Sequence, residues 1–115
     1  MDPEDVKIVT LARGARLRAH APHTGRREGA AVRDTDGRTY AAATVENADP
    51  ALTTSALRGA VAAAASSGIR TFEAAALVTE DAVAPADLAV LREFGTGVLV
   101  HVAGPDGVRR EILST

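Results

Sequence analysis

"VENADPALTTSALRGAVAAAASSG", residues 45–68, decides how the rest of the chain folds. Its first part, Glu46 to Pro50, is polar and carries the Asn, Asp and Pro of a loop. The remainder is a run of alanine, leucine and valine closed by Gly68, with Thr53 or Thr54 placed to cap it. The helix so predicted is apolar nearly all round, and such a helix must be buried against another layer. A sheet is required, and the flanking sequence supplies one.

Upstream, Asp2-Pro3-Glu4-Asp5 predicts a helix start, with an aspartate cap, proline in the first turn and acids at the positive end of the dipole. Ile8, Leu11, Ala12, Ala15 and Ala19 then share a face at helical spacing, and Pro22 and Gly25 close the helix. Gly29 to Arg33 and Thr39 to Val45 read as two strands joined at Asp36-Gly37. Downstream, Phe72 to Thr79 is an apolar strand of the kind found at a sheet's centre. A helix over Ala86 to Phe94 and strands over Val98 to Val102 and Val108 to Leu113 complete the chain. The order α-β-β-α-β-α-β-β predicts one domain, residues 1–115, with a mixed five-stranded sheet and helices on both faces, a three-layer α/β/α architecture.

Composition narrows the function. Apolar residues make up 46% and charged residues 24%, as in an ordinary globule, but aromatics are only 3%. A core of small side chains buries little area per residue, which predicts support from a homo-oligomer, dimer or tetramer. The net charge of −2 and the scatter of Lys and Arg argue against nucleic acid; Arg13, Arg16, Arg18, Arg26 and Arg27 read as a solvated face. No basic leader and no long apolar segment is present, which predicts a cytoplasmic protein without membrane partners. With no cysteine, disulfides, thiolate metal sites and cysteine nucleophiles are excluded. His20, His23 and His101 lack metal-binding spacing and read as loop or strand-face residues. Ser55 lacks the elbow of a serine nucleophile, and no phosphate-binding loop occurs.

Three stretches, taken with this order of elements, resemble the cytidine deaminase family of free-nucleoside deaminases. "HAPHTGRREGAAV" from His20 is similar to the family's A-P-Y-S-x-F-x-V-G-A-A; "TVENADPALTTSALRGAV" to its N-V-E-N-A…C-A-E-R-T-A; and "APADLAVLREFG" to its P-C-G-A-C-R-Q-V-L-R-E-F-G. The resemblance implies a cytidine-deaminase-like fold. In the family, three thiolates hold zinc, the metal acidifies a bound water, and a glutamate moves protons. Carried across, the thiolate positions fall on Ser55, Ala84 and Asp87, and the glutamate on Leu57. A hydroxyl, a methyl group and one carboxylate make a poor zinc set, and leucine carries no proton. The expectation is a pseudoenzyme with its zinc site lost, no cofactor and no deamination.

The resemblance also implies ligand contacts. The family's nucleoside-packing phenylalanine falls on Arg26, the ribose-binding asparagine on Thr44, its glutamate partner on Glu46 and the adjoining alanine on Ala48. Arg26 in place of an aromatic favours an anionic ligand such as a nucleotide. Arg58, which in the family serves the thiolates, has Asp87 as a candidate ion-pair partner; the alternative is that Asp87 only complements its own helix dipole. These residues leave three readings: a protein that binds a nucleoside- or nucleotide-like ligand, a regulatory or assembly subunit with a filled pocket, and a deaminase with relocated catalytic residues.

Overall fold

The computed structural model describes all residues, Met1–Thr115. The elements are α1 (Pro3–Arg16), β1 (Gly29–Asp34), β2 (Thr39–Ala43), α2 (Ala56–Ser66), β3 (Phe72–Val78), α3 (Pro85–Arg92), β4 (Leu99–Ala103) and β5 (Arg109–Ser114). The strands form one sheet in the order β2-β1-β3-β4-β5. β3 and β4 are parallel, joined across α3, and every other neighbouring pair is antiparallel. The predicted three-layer α/β/α architecture with a mixed five-stranded sheet is the observed one. No helix is long and apolar enough to cross a membrane.

The pleat divides the core between the two faces. Ala31, Ala74, Ala76, Val78 and Ala103 point to α1 and pack against Ile8, Val9 and Ala12. Ala30, Val32, Leu77, Val100 and Val102 point the other way and pack under α2 with Leu57, Ala60, Val61 and Ala64. Small residues on the first face let α1 approach β1 closely. At Gly29 a β-carbon would fall inside the van der Waals radii of the Ala12 carbonyl oxygen and the Arg16 amide nitrogen, so only glycine fits.

Some boundaries differ from the sequence reading. α1 ends at Arg16, well before Pro22. Leu17, Arg18 and Ala19 donate to carbonyls three residues back, which tightens the chain into a turn. His20 then pairs with the segment after β2, donating to the Thr44 carbonyl and accepting from the Glu46 amide. Ile8, Ala12 and Ala15 are buried as the spacing predicts, but Leu11 faces solvent and Val9 joins the buried face. The loop at Pro50–Leu52 contains a short 3₁₀ turn capped by Asp49. The cap of α2 is Ser55, not Thr53 or Thr54; its Oγ accepts from the Arg58 amide. α2 also buries one face only, leaving Ala62 and Ala63 exposed. Gly68, at φ +99°, lets the amides of Gly68 and Ile69 reach the carbonyls of Ala65 and Ala64 as the helix stops.

Candidate functional site

The crossing of elements at one end of the sheet leaves a cleft of about 350 Å³. Its walls come from the segment between α1 and β1 (Thr24, Arg26, Glu28), the loop after β2 (Thr44, Glu46, Pro50, Thr53) and the first turns of α2 and α3 (Ser55, Arg58, Ala84, Asp87). A second recess of about 440 Å³, lined by Thr79 and the Gly104–Val108 turn with Arg110, lies beyond. Its acid, Asp106, accepts from the Val108 amide through Oδ1. The first cleft gathers the convergent polar groups that a ligand site requires.

The starts of α2 and α3 meet inside it. Ser55 Oγ donates to Asp87 Oδ1 at 2.7 Å while accepting from Arg58 N and Arg58 Nε, each at 3.2 Å. Arg58 Nε lies 3.7 Å from Asp87 Oδ1, and its Nη2 donates to the Thr53 carbonyl at 3.1 Å. Arg58 and Asp87 therefore face each other with the serine hydroxyl between them. The Asp87 side chain is only 6% exposed, whereas that of Arg58 is 44% exposed. Ala84 lines the cleft, and Leu57 does not; it is fully buried in the core under α2.

These donors do not fit a zinc ion. One carboxylate, already bonded to a neutral hydroxyl, stands beside an alanine, and no group of three or more His, Asp or Glu side chains is gathered anywhere to hold a metal.

The residues assigned to the ligand are placed unequally. Glu46 is buried at the cleft wall, and both its oxygens are engaged: Oε1 accepts from the amides of His23 and Thr24, and Oε2 from the Thr24 hydroxyl. The Thr24 hydroxyl does most to hold this carboxyl below the usual glutamate range; burial pushes the other way, and the two amides add to the lowering. Glu46 thus pins the 23–24 turn that forms one wall. Thr44 Oγ1 accepts from the Glu28 amide at 3.0 Å, fixing the start of β1. Arg26 reaches across the mouth to Asp81, Nε to Oδ2 at 2.9 Å, with both partners substantially exposed. Ala48 is exposed and outside the cleft.

Glu28 was missed by the sequence reading. It stands where the family's A-P-Y-S-x-F-x-V-G-A-A stretch has valine, and an acid in that apolar position was the signal. Its Oε2 accepts from the hydroxyl of the fully buried Thr79 at 2.7 Å. Burial pushes its pKa above the ordinary glutamate value; the Thr79 bond offsets this in part, and the charge of Asp87 raises it further.

A three-layer α/β/α domain with a polar cleft at the starts of two helices is the architecture of the nucleoside-deaminase class. The chain belongs to the cytidine deaminase-like family, whose model matches residues 1–107. It is 36% identical over 101 residues to a cytidine deaminase of Sporosarcina psychrophila, covering 84% of this chain and 73% of that protein. The crystal structure of cytidine deaminase from Burkholderia pseudomallei superposes with a TM-score of 0.88 at 30% identity, covering 99% of this chain and 93% of that one. Cytidine deaminase from Mycobacterium tuberculosis gives 0.80 at 28%, covering 86% and 85%.

These relatives overturn the expectation of a pseudoenzyme. They are named cytidine deaminases, and nothing in the cleft demonstrates inactivity. The expectation treated missing motif residues as a missing reaction, whereas the cleft holds ionisable groups, Glu28 among them, that motif positions do not reveal.

Proposed function

We propose that the cleft binds a nucleoside- or nucleotide-like ligand. The observation that carries this reading is the convergence of Glu28, Thr44, Ser55, Arg58 and Asp87 on one cleft of about 350 Å³, a volume within the small-molecule range. Glu46 and Thr44 shape the wall through the 23–24 turn and the start of β1. Arg26, exposed at the mouth, is the group available to a phosphate if it exchanges Asp81 for the ligand. In this reading the chain is a divergent member of its family, with Ser55, Asp87 and Arg58 joined where the thiolates would stand.

A thermal-shift series with cytidine, uridine and their 5′-monophosphates tests the reading. Ligand at a hundred times its Kd stabilises by about 2.7 kcal/mol. A rise in Tm with at least one member is expected, and no shift with any at millimolar concentration refutes it. Ammonia release in the same samples tells a substrate from a ligand that leaves unchanged. Metal analysis is expected to find no stoichiometric zinc; one zinc per chain would refute the divergent reading of Ser55, Ala84 and Asp87.

A second reading, self-association, is favoured by apolar side chains left in solvent, Leu17, Leu52 and Val108 each more than 60% exposed, over a core built largely of alanine. Light scattering is expected to return twice or four times the chain mass of 11.8 kDa; the single-chain mass refutes it.

A further inference from the structure

The outward side of α1 is not the polar face that a surface helix ordinarily presents. Ile8, Val9, Ala12 and Ala15 are buried against the sheet, yet on the side turned from it Val6 is 44%, Leu11 41% and Leu17 76% exposed. Val6, Lys7, Thr10 and Leu11 frame a recess of about 320 Å³ on this side. Gly14 follows Leu11 by one turn, and a β-carbon there would meet nothing within 4 Å. Glycine weakens a helix interior relative to alanine, and no packing within the chain calls for it at this position.

Charge is ordered along the same side. Glu4, Leu11 and Arg18 are seven residues apart and so fall on nearly one line of the helix surface. Most charges at the two ends of α1 are already engaged: Asp5 with Arg33, Arg16 with Glu80, and Arg13 with the Pro105 carbonyl. The ends of the line are not. Glu4 has only Lys7 as an ionic partner, at 3.2 Å, in a pair so exposed that it exchanges at little cost. Arg18 reaches only the Gly14 carbonyl, at 3.4 Å, and has no carboxylate partner.

We infer that the outward side of α1 docks the α1 of a second copy of this chain, the two helices lying antiparallel across a two-fold axis at Leu11. The inference rests on the self-association reading and gives it a surface. A two-fold contact requires a patch that is complementary to itself. The line Glu4–Leu11–Arg18 meets that condition, because reversing the helix exchanges acid for base and leaves Leu11 in place. Each copy's Glu4 then stands beside the other copy's Arg18, and Leu11 meets Leu11. On the other flank, Val6 of each copy meets Leu17 of the other. Thr10 and Gly14 lie between the flanks and are small enough to let the two axes approach. Antiparallel packing also sets the positive end of one helix dipole beside the negative end of the other. Parallel packing would oppose Glu4 to Glu4 and Arg18 to Arg18.

Sedimentation velocity over a concentration series, on the wild type, Leu11→Glu, Glu4→Arg, Arg18→Glu and the Glu4→Arg/Arg18→Glu double variant, tests the pairing. All three positions are exposed, and unchanged circular dichroism would show that each variant keeps the fold. The expected result is that each single variant halves the wild-type mass and that the double variant restores it, since exchanging both charges re-forms the pair across the axis. Restoration is the readout that a loss of folding or of surface polarity does not produce. A double variant no heavier than the singles overturns the antiparallel pairing. So do single variants that keep the wild-type mass, and in that case self-association stands on other apolar side chains such as Leu52 and Val108. A wild type with the mass of one chain at every concentration refutes both the pairing and the self-association reading.

Discussion

Replacing Ser55 by alanine removes the contact that ties the start of α2 to the start of α3. Its hydroxyl caps α2 by accepting from Arg58 N at 3.2 Å, and it donates to Asp87 Oδ1 at 2.7 Å. Loss of a serine cap costs about 1 kcal/mol. A hydrogen bond to a charged group contributes roughly 1.5–3 kcal/mol, the lower end applying here because Arg58 Nε, at 3.7 Å, can move toward the carboxylate oxygen that Ser55 vacates. Ser55→Ala is therefore expected to destabilise by about 2–3 kcal/mol. With an unfolding entropy of about 2.1 cal/mol/K per residue, a chain of 115 residues loses roughly 4 °C of Tm for each kcal/mol, and the variant should melt about 8–12 °C lower. Urea unfolding of wild type, Ser55→Ala, Asp87→Ala and the double variant closes a cycle that isolates the Ser55–Asp87 bond from the cap. A coupling of about 1 kcal/mol or more is expected. Coupling below roughly 0.3 kcal/mol, within the error of additivity, would refute the claim that this bond joins the two helix starts.

Gly29→Ala should be among the most damaging single changes, about 3 kcal/mol by urea unfolding, because the added methyl meets the backbone of α1 rather than a side chain that can turn away; a loss under about 1 kcal/mol would mean that α1 can lift from β1 freely. His101, only 2% exposed with Nε2 unbonded, has its pKa lowered first by burial and then by Arg109, Arg33 and the N-terminus against an opposing pull from Asp5. The unfolded chain then binds the proton more readily, so this contribution to stability is present above the unfolded value of about 6.5 and fades as pH falls toward the lower folded value. Chemical unfolding as a function of pH should show that decline, and His101→Gln should flatten it; an unchanged slope in the variant counts against the assignment. Thr79→Val removes the one hydrogen bond that lowers the Glu28 pKa, and carboxyl carbon NMR should find Glu28 titrating at higher pH than in the wild type; a downward shift would show that desolvation does not dominate there.

Much of the molecule is legible because local rules and the global fold agree. The Asp2-Pro3 start, the Asp36-Gly37 turn with Gly37 at φ +88° and the stop at Gly68 each demand one backbone geometry, and the sheet forms where they place it. The elements whose ends were misread are those where pairing at a distance overrides propensity. α1 stops early because His20 is drawn into bonds with Thr44 and Glu46, and nothing between Leu17 and Pro22 announces that partner. The cap of α2 passes from the threonines to Ser55 because its side chain turns back to accept from the Arg58 amide, while the Thr53 hydroxyl is occupied by the Asn47 amide.

The sequence by itself determined the layers, the order of elements and the absence of thiolates, because these follow from periodicity, turn chemistry and residue type. Only the tertiary structure decided what the acids do. Glu46, read as a ligand contact, spends both oxygens on the 23–24 turn, while Glu28, in an apolar motif position, lines the cleft with one oxygen held by Thr79. Asp87 gains a serine partner 32 positions away. A carboxyl's burial, its bonds and its pKa depend on which groups surround it in space, and those groups come from segments that sequence spacing does not bring together.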